Sequence, residues 1–232
     1  MNLTLQLKTT MPDQTSVMIV DDHAMILAGI RSILEHTEGI SVVGQATDGR
    51  EAVALASRLA PDVVLMDVGM PELNGVEATR KIHALDPKIA IIALSMHSDQ
   101  RYVTGMLDAG ARGYLLKTCE ADELLRAIDA VRRGRIYVAS DLTHVLVERR
   151  QSGGHPSMHT GTPPADTLTP REREVLQLIA EGLTSKEIGA RLGIALKTIE
   201  THRTNLIRKL DLHTIADLTR YAIREGLVSL SE

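Results

Sequence analysis

Short apolar runs alternate with helical spacing along the first half of the chain. Five runs have the length of a strand and lie at Val17 to Val20, Ile40 to Val43, Val63 to Met66, Ile89 to Leu94, and Tyr114 to Leu116. Between these runs, apolar residues recur at steps of three and four, as in Leu124, Leu125, Ile128 and Val131. The alternation predicts a parallel sheet that is covered by helices on both faces.

A different pattern, wholly helical, fills the last third of the chain. Helices are predicted at residues 170–181, 185–192, 197–210 and 214–225, with glycines between several of them. Thr169, Pro170 and Glu172 form the sequence signature of a capping box at the first of these helices. This part of the chain is therefore predicted to be a small helical domain.

The stretch between the two patterns is rich in Gly, Pro, Ser and Thr. Residues 151–167 contain almost no large apolar side chain, which predicts a linker, and Asp141 to Arg150 favours a short connecting helix before it. We therefore divide the chain into an extension at 1–15, an α/β domain at 16–135, a connection at 136–167 and a helical domain at 168–232.

Composition narrows the classes of function. The 232 residues are 44% hydrophobic, enough for two modest cores, and no apolar run approaches the roughly 20 residues of a membrane span. The first fifteen residues lack the pattern of a secretory signal, so a cytoplasmic location without a membrane partner is expected. The single cysteine, Cys119, excludes an internal disulfide and a multi-cysteine zinc site. The absence of Phe and Trp argues against single-strand binding by base stacking.

The net charge of -4 is unevenly distributed. Residues 1–150 contain 16 basic and 20 acidic side chains, whereas residues 168–232 contain 10 basic and 9 acidic ones. Within the second region, residues 186–210 contain six basic side chains and only two acidic ones. This local excess favours contact with nucleic-acid phosphates, although a solvated helix face would also explain it.

Polar residues follow four of the five predicted strands. Asp21 and Asp22 end the first, Asp67 the third, Ser95 the fourth and Lys117 the fifth. Because the carboxyl ends of parallel strands form one rim of an open sheet, we expect these side chains to converge.

Three carboxylates at one rim require a cation, and hard oxygen ligands on an open site favour Mg²⁺. We expect Asp22 and Asp67 as direct ligands, Asp21 as a ligand through water, and the Gly69 carbonyl as a third protein oxygen. Lys117 and Ser95 would stabilise the oxygens of a phosphoryl group on Asp67.

These motifs resemble the receiver-domain signature of two-component response regulators, over about Ser16 to Arg133. The motifs are Asp21-Asp22, Asp67-Val-Gly-Met-Pro-Glu-Leu-Asn-Gly75, Ala-Leu-Ser95 and Gly-Tyr-Leu-Leu-Lys117. The resemblance implies a flavodoxin-like, doubly wound, five-stranded parallel sheet of order 2-1-3-4-5. It also implies that Asp67 receives phosphate from the phosphohistidine of a sensor histidine kinase. Ser95 and Tyr114 would be the switch pair, with the hydroxyl moving toward the phosphate while the ring turns inward.

The third helix of the C-terminal domain has two different faces. Ile199, Leu206, Ile207 and Leu210 share one face, whereas Lys197, Thr201, Thr204 and Arg208 lie on another. Together with the preceding helix and the turn at Gly193, this spacing fits a helix-turn-helix whose recognition helix enters the major groove of DNA.

This segment resembles the LuxR-type helix-turn-helix of the NarL/FixJ family. The motifs are Leu-Thr-Pro-Arg-Glu-Arg-Glu-Val-Leu176, Ser-Lys-Glu-Ile-Gly189 and Thr-Ile-Glu-Thr-His-Arg203. The resemblance implies a DNA-binding set in which some residues face bases and others contact phosphates: Glu200, Thr201 and Thr204 for the bases, Lys186, Lys197, Arg203 and Arg208 for the phosphates, and Thr198 beside them. Ala195 departs from the family, which often has Ser or Thr ahead of the recognition helix, and the loss of this N-cap costs about 1 kcal/mol.

The leading interpretation is a transcription regulator controlled by phosphorylation. The receiver would mask the recognition helix or hold the chain monomeric, and phosphorylation would promote a homodimer that binds double-stranded promoter DNA. Leu124 to Val131 and Ile215 to Ile223 are candidate dimer surfaces, and RNA polymerase is a further candidate partner. The chain would catalyse only its own phosphotransfer and dephosphorylation.

Two other classes of protein share part of this pattern. A magnesium-dependent phosphatase with an aspartyl-phosphate intermediate usually has a general acid two residues after its nucleophile, where this chain has Gly69. A DNA-binding protein with an inactive receiver would not need all five polar rim residues. His23 and His97, beside the rim in sequence, are interpreted as loop residues, with an effect on phosphate hydrolysis as the alternative.

Overall fold

The N-terminal domain is built on one parallel sheet. The computed structural model of the chain describes residues 14–96, 98–142 and 167–228. The strands are β1 (Thr15–Val20), β2 (Ile40–Ala46), β3 (Val63–Asp67), β4 (Ala90–Ser95), β5 (Gly113–Leu116) and β6 (Tyr137–Val138). Their order is β2-β1-β3-β4-β5-β6, and every pair is parallel. The expected order 2-1-3-4-5 is thus confirmed, but the sheet is not five-stranded: the two-residue β6, too short to give a period-2 pattern, extends it.

Five helices cover this sheet: α1 (Ala24–Glu35), α2 (Gly49–Leu59), α3 (Gly75–Leu85), α4 (Gln100–Asp108) and α5 (Ala121–Arg132). Ile30 of α1 and Leu124 of α5 line one shared groove, whereas α2, α3 and α4 pack against each other in succession. All residues of β3 and β4 are buried, as expected for central strands covered on both faces.

Four helices form the C-terminal domain: α6 (Pro170–Ala180), α7 (Ser185–Leu192), α8 (Leu196–Leu210) and α9 (Ile215–Arg224). The capping box of Thr169 and Glu172 is present, and a second one, which we did not predict, joins Thr184 and Glu187. Gly193 ends α7 in the left-handed conformation at φ 64°. Ala195, the N-cap residue of α8, makes no side-chain capping hydrogen bond.

Each domain has its own hydrophobic core. One cluster of buried apolar side chains runs through the sheet and α1 to α5, and the other lies among α6 to α9. No apolar core joins the two halves among the described residues. The described part of the chain thus forms a parallel α/β domain followed by a helical domain.

The predicted extension and linker lie mostly outside the described residues. Residues 1–13 and 143–166 are not described, and β1 begins at Thr15. The first two residues of the predicted connecting helix, Asp141 and Leu142, belong to a 3-10 helix at Ser140–Leu142. Within the described part of the chain, no helix is both long and apolar enough to cross a membrane.

Candidate functional site

The strand ends bring one lysine and two aspartates together. Asp21 follows β1, Asp67 ends β3, and Lys117 follows β5. Nζ of Lys117 lies 2.8 Å from Oδ2 of Asp21 and 3.0 Å from Oδ1 of Asp67, and all three side chains are almost wholly buried. The predicted convergence of these residues is therefore present in the fold.

The pocket is electrostatically strained around Asp67. Burial raises the pKa of Asp67 to about 6; the positive charge of Lys117 opposes this, and the negative charge of Asp21 adds to it. Burial also disfavours the charged form of Lys117, but Asp67 and Asp21 outweigh it and raise the pKa of the ammonium group. One lysine therefore does not fully compensate the buried acids, and a further cation would favour ionised Asp67.

Asp22 and His23 complete the rim of the pocket. Asp21, Asp22, His23 and Asp67 each offer one ligand atom, and these atoms lie within 4.8 Å of one another. Nδ1 of His23 lies 2.8 Å from Oδ1 of Asp22 and 3.2 Å from Oδ1 of Asp21. His23 thus lies in the loop between β1 and α1, as predicted, and from there its side chain contacts the acidic pocket.

Ser95 and Tyr114 lie side by side behind the pocket. Ser95 ends β4 and is 2% exposed, and the Tyr114 ring in β5 is fully buried. A hydrogen bond joins their side chains, and burial raises the pKa of the Tyr114 hydroxyl above its ordinary value. The Tyr114 ring therefore lies inside the domain, next to Ser95. His97, two residues after Ser95, lies outside the described residues.

Helix α8 turns a polar face to solvent. Ile199, Leu206 and Leu210 are buried in the core of the domain, and Ile207 is partly buried. The opposite face and the start of α7 expose seven of the eight predicted DNA-binding side chains: Lys186, Lys197, Thr198, Glu200, Thr201, Thr204 and Arg208. The eighth, Arg203, is partly buried and donates a hydrogen bond of 2.8 Å to Oγ of Ser185, which ties α8 to α7.

Two of the three threonines on this face have defined hydroxyl orientations. Thr201 donates its hydroxyl hydrogen to the carbonyl of Lys197, and Thr204 donates to that of Glu200, both at 2.9 Å. Each hydroxyl therefore presents lone pairs and a neighbouring methyl group outward. Such a surface can accept a hydrogen bond from a base or contact a thymine methyl group.

Comparisons with known proteins identify both halves. Residues 17–129 match the family described as "Response regulator receiver domain", and residues 166–222 match "Bacterial regulatory proteins, luxR family". The chain is 40% identical to the transcriptional regulatory protein LiaR of Bacillus subtilis over 215 residues, 92% of this chain and 99% of LiaR. It is 38% identical to MctR of Rhizobium johnstonii over 213 residues, 92% of this chain and 95% of MctR.

The chain belongs to the LuxR-type response regulators. A solved structure of the response regulator RcsB in complex with DNA matches with a TM-score of 0.54 and 27% identity, covering 90% of this chain and 97% of that one. This response regulator thus has the two-domain architecture of its relatives.

The rim of the receiver fits a hard divalent cation. Carboxylate oxygens of Asp21, Asp22 and Asp67 supply the donors that Mg²⁺ prefers, and the receiver family typically binds Mg²⁺ at such an acidic pocket. Gly69 lies next to them, and its N–H is 3.4 Å from Oδ1 of Asp67. The donor set and the raised pKa of Asp67 both favour a cation here.

Sequence reasoning missed a contact between the receiver and the DNA-binding domain. Helix α6 lies on α3 and on the loop between β3 and α3, where Arg173 contacts Glu77 at 2.5 Å and Lys81 forms an ion pair with Glu174. Gln177 of the same helix is 1% exposed. The apolar periodicity of α6 predicts only its inner face, and nothing in the sequence indicates what covers its polar face.

Proposed function

We propose that Asp67 accepts a phosphoryl group from the phosphohistidine of a sensor histidine kinase, in a reaction that depends on Mg²⁺. The phosphorylated chain then forms a homodimer that binds double-stranded promoter DNA and regulates transcription. The observation that carries the proposal is Lys117, whose Nζ reaches both Asp21 and Asp67 in a buried pocket. Because this ammonium group is buried beside both carboxylates, its positive charge can stabilise the negative charge of a phosphoryl group added to Asp67.

The transfer uses one carboxylate oxygen of Asp67 as the nucleophile. A bond forms between this oxygen and phosphorus, the bond from phosphorus to the imidazole nitrogen of the donor breaks, and that nitrogen keeps the electron pair. Lys117 stabilises the negative charge of the phosphoryl oxygens, and the Ser95 hydroxyl at the end of β4 donates to another of them.

Mg²⁺, when bound, neutralises charge on the phosphoryl oxygens and on the acids that hold it. Asp22 and Asp67 would hold the ion directly, Asp21 would act through water, and the Gly69 carbonyl would supply a further oxygen. The contribution of the chain is to hold these acids adjacent, with Asp21 and Asp67 buried and Asp22 at the exposed rim.

Binding to DNA would use the exposed face of α8. Phosphate contacts by Lys186, Lys197, Arg203 and Arg208 would set the register, while Thr198, Glu200, Thr201 and Thr204 would meet base edges. A dimer strengthens binding because two modules on one duplex add their contacts. Ile215 of α9 is 58% exposed, which supports α9 as one dimer surface.

Intact-mass measurement after treatment with acetyl phosphate and Mg²⁺ tests the proposal. Wild type should gain roughly 80 Da, one phosphoryl group, and Asp67→Asn should gain nothing. Asp108→Asn, at an exposed aspartate on α4, is the matched control and should behave as wild type. A gain in Asp67→Asn equal to that of wild type would rule out Asp67 as the acceptor.

A further inference from the structure

The contact between the domains is polar and buried. On α6, the residues Arg173, Glu174 and Gln177 are 7%, 3% and 1% exposed, although they lie outside the apolar core of their own domain. The burial of Arg173 and Glu174 is explained by their ion pairs with Glu77 and Lys81 of α3, respectively. Gln177 makes a different kind of contact, because its partners are backbone groups of the receiver.

Gln177 binds both ends of the loop between β3 and α3. Its Nε2 donates to the carbonyl of Met70 at 3.0 Å, and its Oε1 accepts from the N–H of Asn74 at 3.1 Å. Nε2 also donates to Oε1 of Glu181 at 2.8 Å, and that oxygen accepts from the N–H of Glu72 at 3.2 Å. The amide thus fixes the backbone of this loop at several points, with every polar atom in use.

This loop directly follows the phosphoacceptor. The N–H of Gly75 donates to the carbonyl of Val68 at 3.0 Å, so the loop closes on itself beside Asp67. A Cβ at Gly75 would lie 2.0 Å from the carbonyl oxygen of Asp67, which shows how closely the far end of the loop returns to β3. A restraint on Met70 to Asn74 therefore also restrains Gly69, which lies between Met70 and Val68, the residue whose carbonyl accepts from Gly75.

The conformation that Gln177 and Glu181 hold is not a relaxed one. Glu72 has φ 66°, in the left-handed region that side chains with a Cβ rarely adopt. Such a conformation persists only where surrounding contacts hold it. Here the contact at the N–H of Glu72 comes from the DNA-binding domain, through Glu181. Without the contacts from α6, we expect Glu72 to leave this unfavourable conformation and the loop to change with it.

The recognition helix plays no part in this contact. Lys197, Thr201 and Thr204 of α8 are exposed while the domains touch, so the receiver does not mask the DNA-reading face in this arrangement. Of the two alternatives stated above, this arrangement does not favour masking of the recognition helix and leaves the other, that the receiver holds the chain monomeric. The contact instead joins α6 to the loop beside the phosphorylation site.

We propose that Gln177 is a positioning residue for phosphorylation: its amide holds the β3–α3 loop, and with it Gly69, in the resting geometry. The proposal rests on the proposed function, in which Asp67 is the acceptor. Because coupling between two sites is reciprocal, a phosphoryl group that rearranges the loop also releases α6 from it. The DNA-binding domain thereby slows the chemistry of the receiver while the two domains touch.

The test uses the full chain with Gln177→Met, which keeps the length of the side chain and removes its hydrogen bonds. Hydrogen exchange of residues 68–75 reports on the loop without any phosphoryl donor, and it should become about tenfold faster. The rate at which acetyl phosphate and Mg²⁺ modify Asp67 should also rise, by roughly three- to tenfold. Gln177→Asn keeps the amide but shortens its reach, and it should give both effects even if the apolar variant folds poorly.

Lys81→Met is the matched control, because it removes an ion pair of the same contact that touches no loop backbone. It should leave loop exchange and modification rate within about twofold of wild type. Affinity for a mixed-sequence duplex should also be unchanged in Gln177→Met, since the reading face is already open. If the contact masked α8, its loss in Gln177→Met would raise this affinity instead, and that result would overturn the proposal.

The remaining outcomes separate the two proposals. Unchanged loop exchange in both Gln177 variants, or faster exchange with an unchanged modification rate, would overturn the positioning role while leaving Asp67 as the acceptor. Failure of wild type to gain a phosphoryl group would overturn the proposed function itself, and the positioning role would fall with it.

Discussion

The acidic pocket of the receiver and the exposed polar face of α8, the proposed reading face, hold their charges in opposite ways. In the pocket, Lys117 touches Asp21 and Asp67, which come from different strand ends and are almost fully removed from water. On the reading face, Lys197, Thr201 and Arg208 come from one helix and are exposed. The first site concentrates charge by burial, and the second displays it on a continuous surface.

This difference determines how each site responds to change. Charges in a low-dielectric pocket interact strongly, so the loss of one partner leaves a costly unpaired charge. Charges on a solvated helix are screened, so the loss of one changes the ligand affinity more than the stability. Substitutions of the same chemical type should therefore have different effects at the two sites.

Removal of the buried lysine should give the largest effect. Lys117→Met leaves Asp21 and Asp67 without their cation and should lower the free energy of unfolding by about 3–5 kcal/mol at neutral to alkaline pH. Urea denaturation measures this, and added Mg²⁺ should restore part of the loss because it binds only the folded pocket. Lys197→Met on α8 is the control and should change stability by no more than about 0.5 kcal/mol. Equal losses in the two variants would contradict the comparison.

On the reading face, DNA affinity should change in two distinguishable ways. Thr201→Val removes an outward acceptor and should change the preference at one base pair by about 1–3 kcal/mol. Lys197→Ala should weaken binding to all sequences alike and reduce the slope of log affinity against log salt by about one. Fluorescence anisotropy at several salt concentrations, on duplexes selected for binding, separates the two. Lys88→Ala, at an exposed receiver lysine, should leave both quantities unchanged.

Restoring the missing cap of α8 should have a smaller effect. Ala195 has φ -63° and ψ 145°, the extended backbone of an N-cap residue, but has no side-chain acceptor. Ala195→Ser should therefore stabilise the DNA-binding domain by about 1 kcal/mol. Thr184→Ala removes a capping box that is present at α7 and should cost a similar amount. Thermal denaturation of both variants checks the pair, and a destabilising serine would show that α8 needs no cap.

The smallest effect concerns pH and the domain contact. Burial opposes ionisation of Glu174, but hydrogen bonds from Lys81 and Arg171 outweigh it and hold the pKa of Glu174 below its ordinary value. Ionised Glu174 therefore stabilises the contact at a pH above the ordinary pKa of a glutamate. This stabilisation is lost as the pH falls through the lowered pKa that Glu174 has while the domains touch. The contact should therefore weaken in acid, which small-angle scattering would detect as an increase in the radius of gyration.

The titration of Glu181 should change the stability of the domain contact in the opposite direction, so the experiment needs a variant that removes it. Burial raises the pKa of Glu181, although bonds from Gln177 and Glu72 oppose it, so its contribution is present at low pH and lost as the pH rises. Glu181→Gln keeps an acceptor and removes this titration, which isolates the effect of Glu174. If acid expansion persists after Glu174→Gln is added to that variant, Glu174 is not its cause.

Much of the fold followed from local patterns. The apolar runs predicted five strands, and the helical spacing predicted the four C-terminal helices. A strand buried on both faces gives a continuous apolar run, whereas a helix buried on one face gives apolar residues at steps of three and four. The two-residue β6 and the capping box at Thr184 were missed. The first is too short for a pattern, whereas the second has the Thr-x-x-Glu signature of a capping box and could have been predicted from the sequence.

The pocket was predictable for a topological reason. Parallel strands bring their carboxyl ends to one rim, so the positions of Asp21, Asp67 and Lys117 along the chain were enough to place them together. The place of His23 on that rim was not predictable, because it depends on a side-chain orientation at the start of α1.

The sequence by itself determined two domains, their elements and the residues of each site, because these depend on neighbours in the chain or on the rules of parallel sheets. Only the tertiary structure decided that α6 lies on the receiver and that Gln177 binds Met70, 107 residues away. No periodicity encodes such a contact. It arises from the fit of two already folded surfaces, which buries polar groups that each domain alone would leave in water.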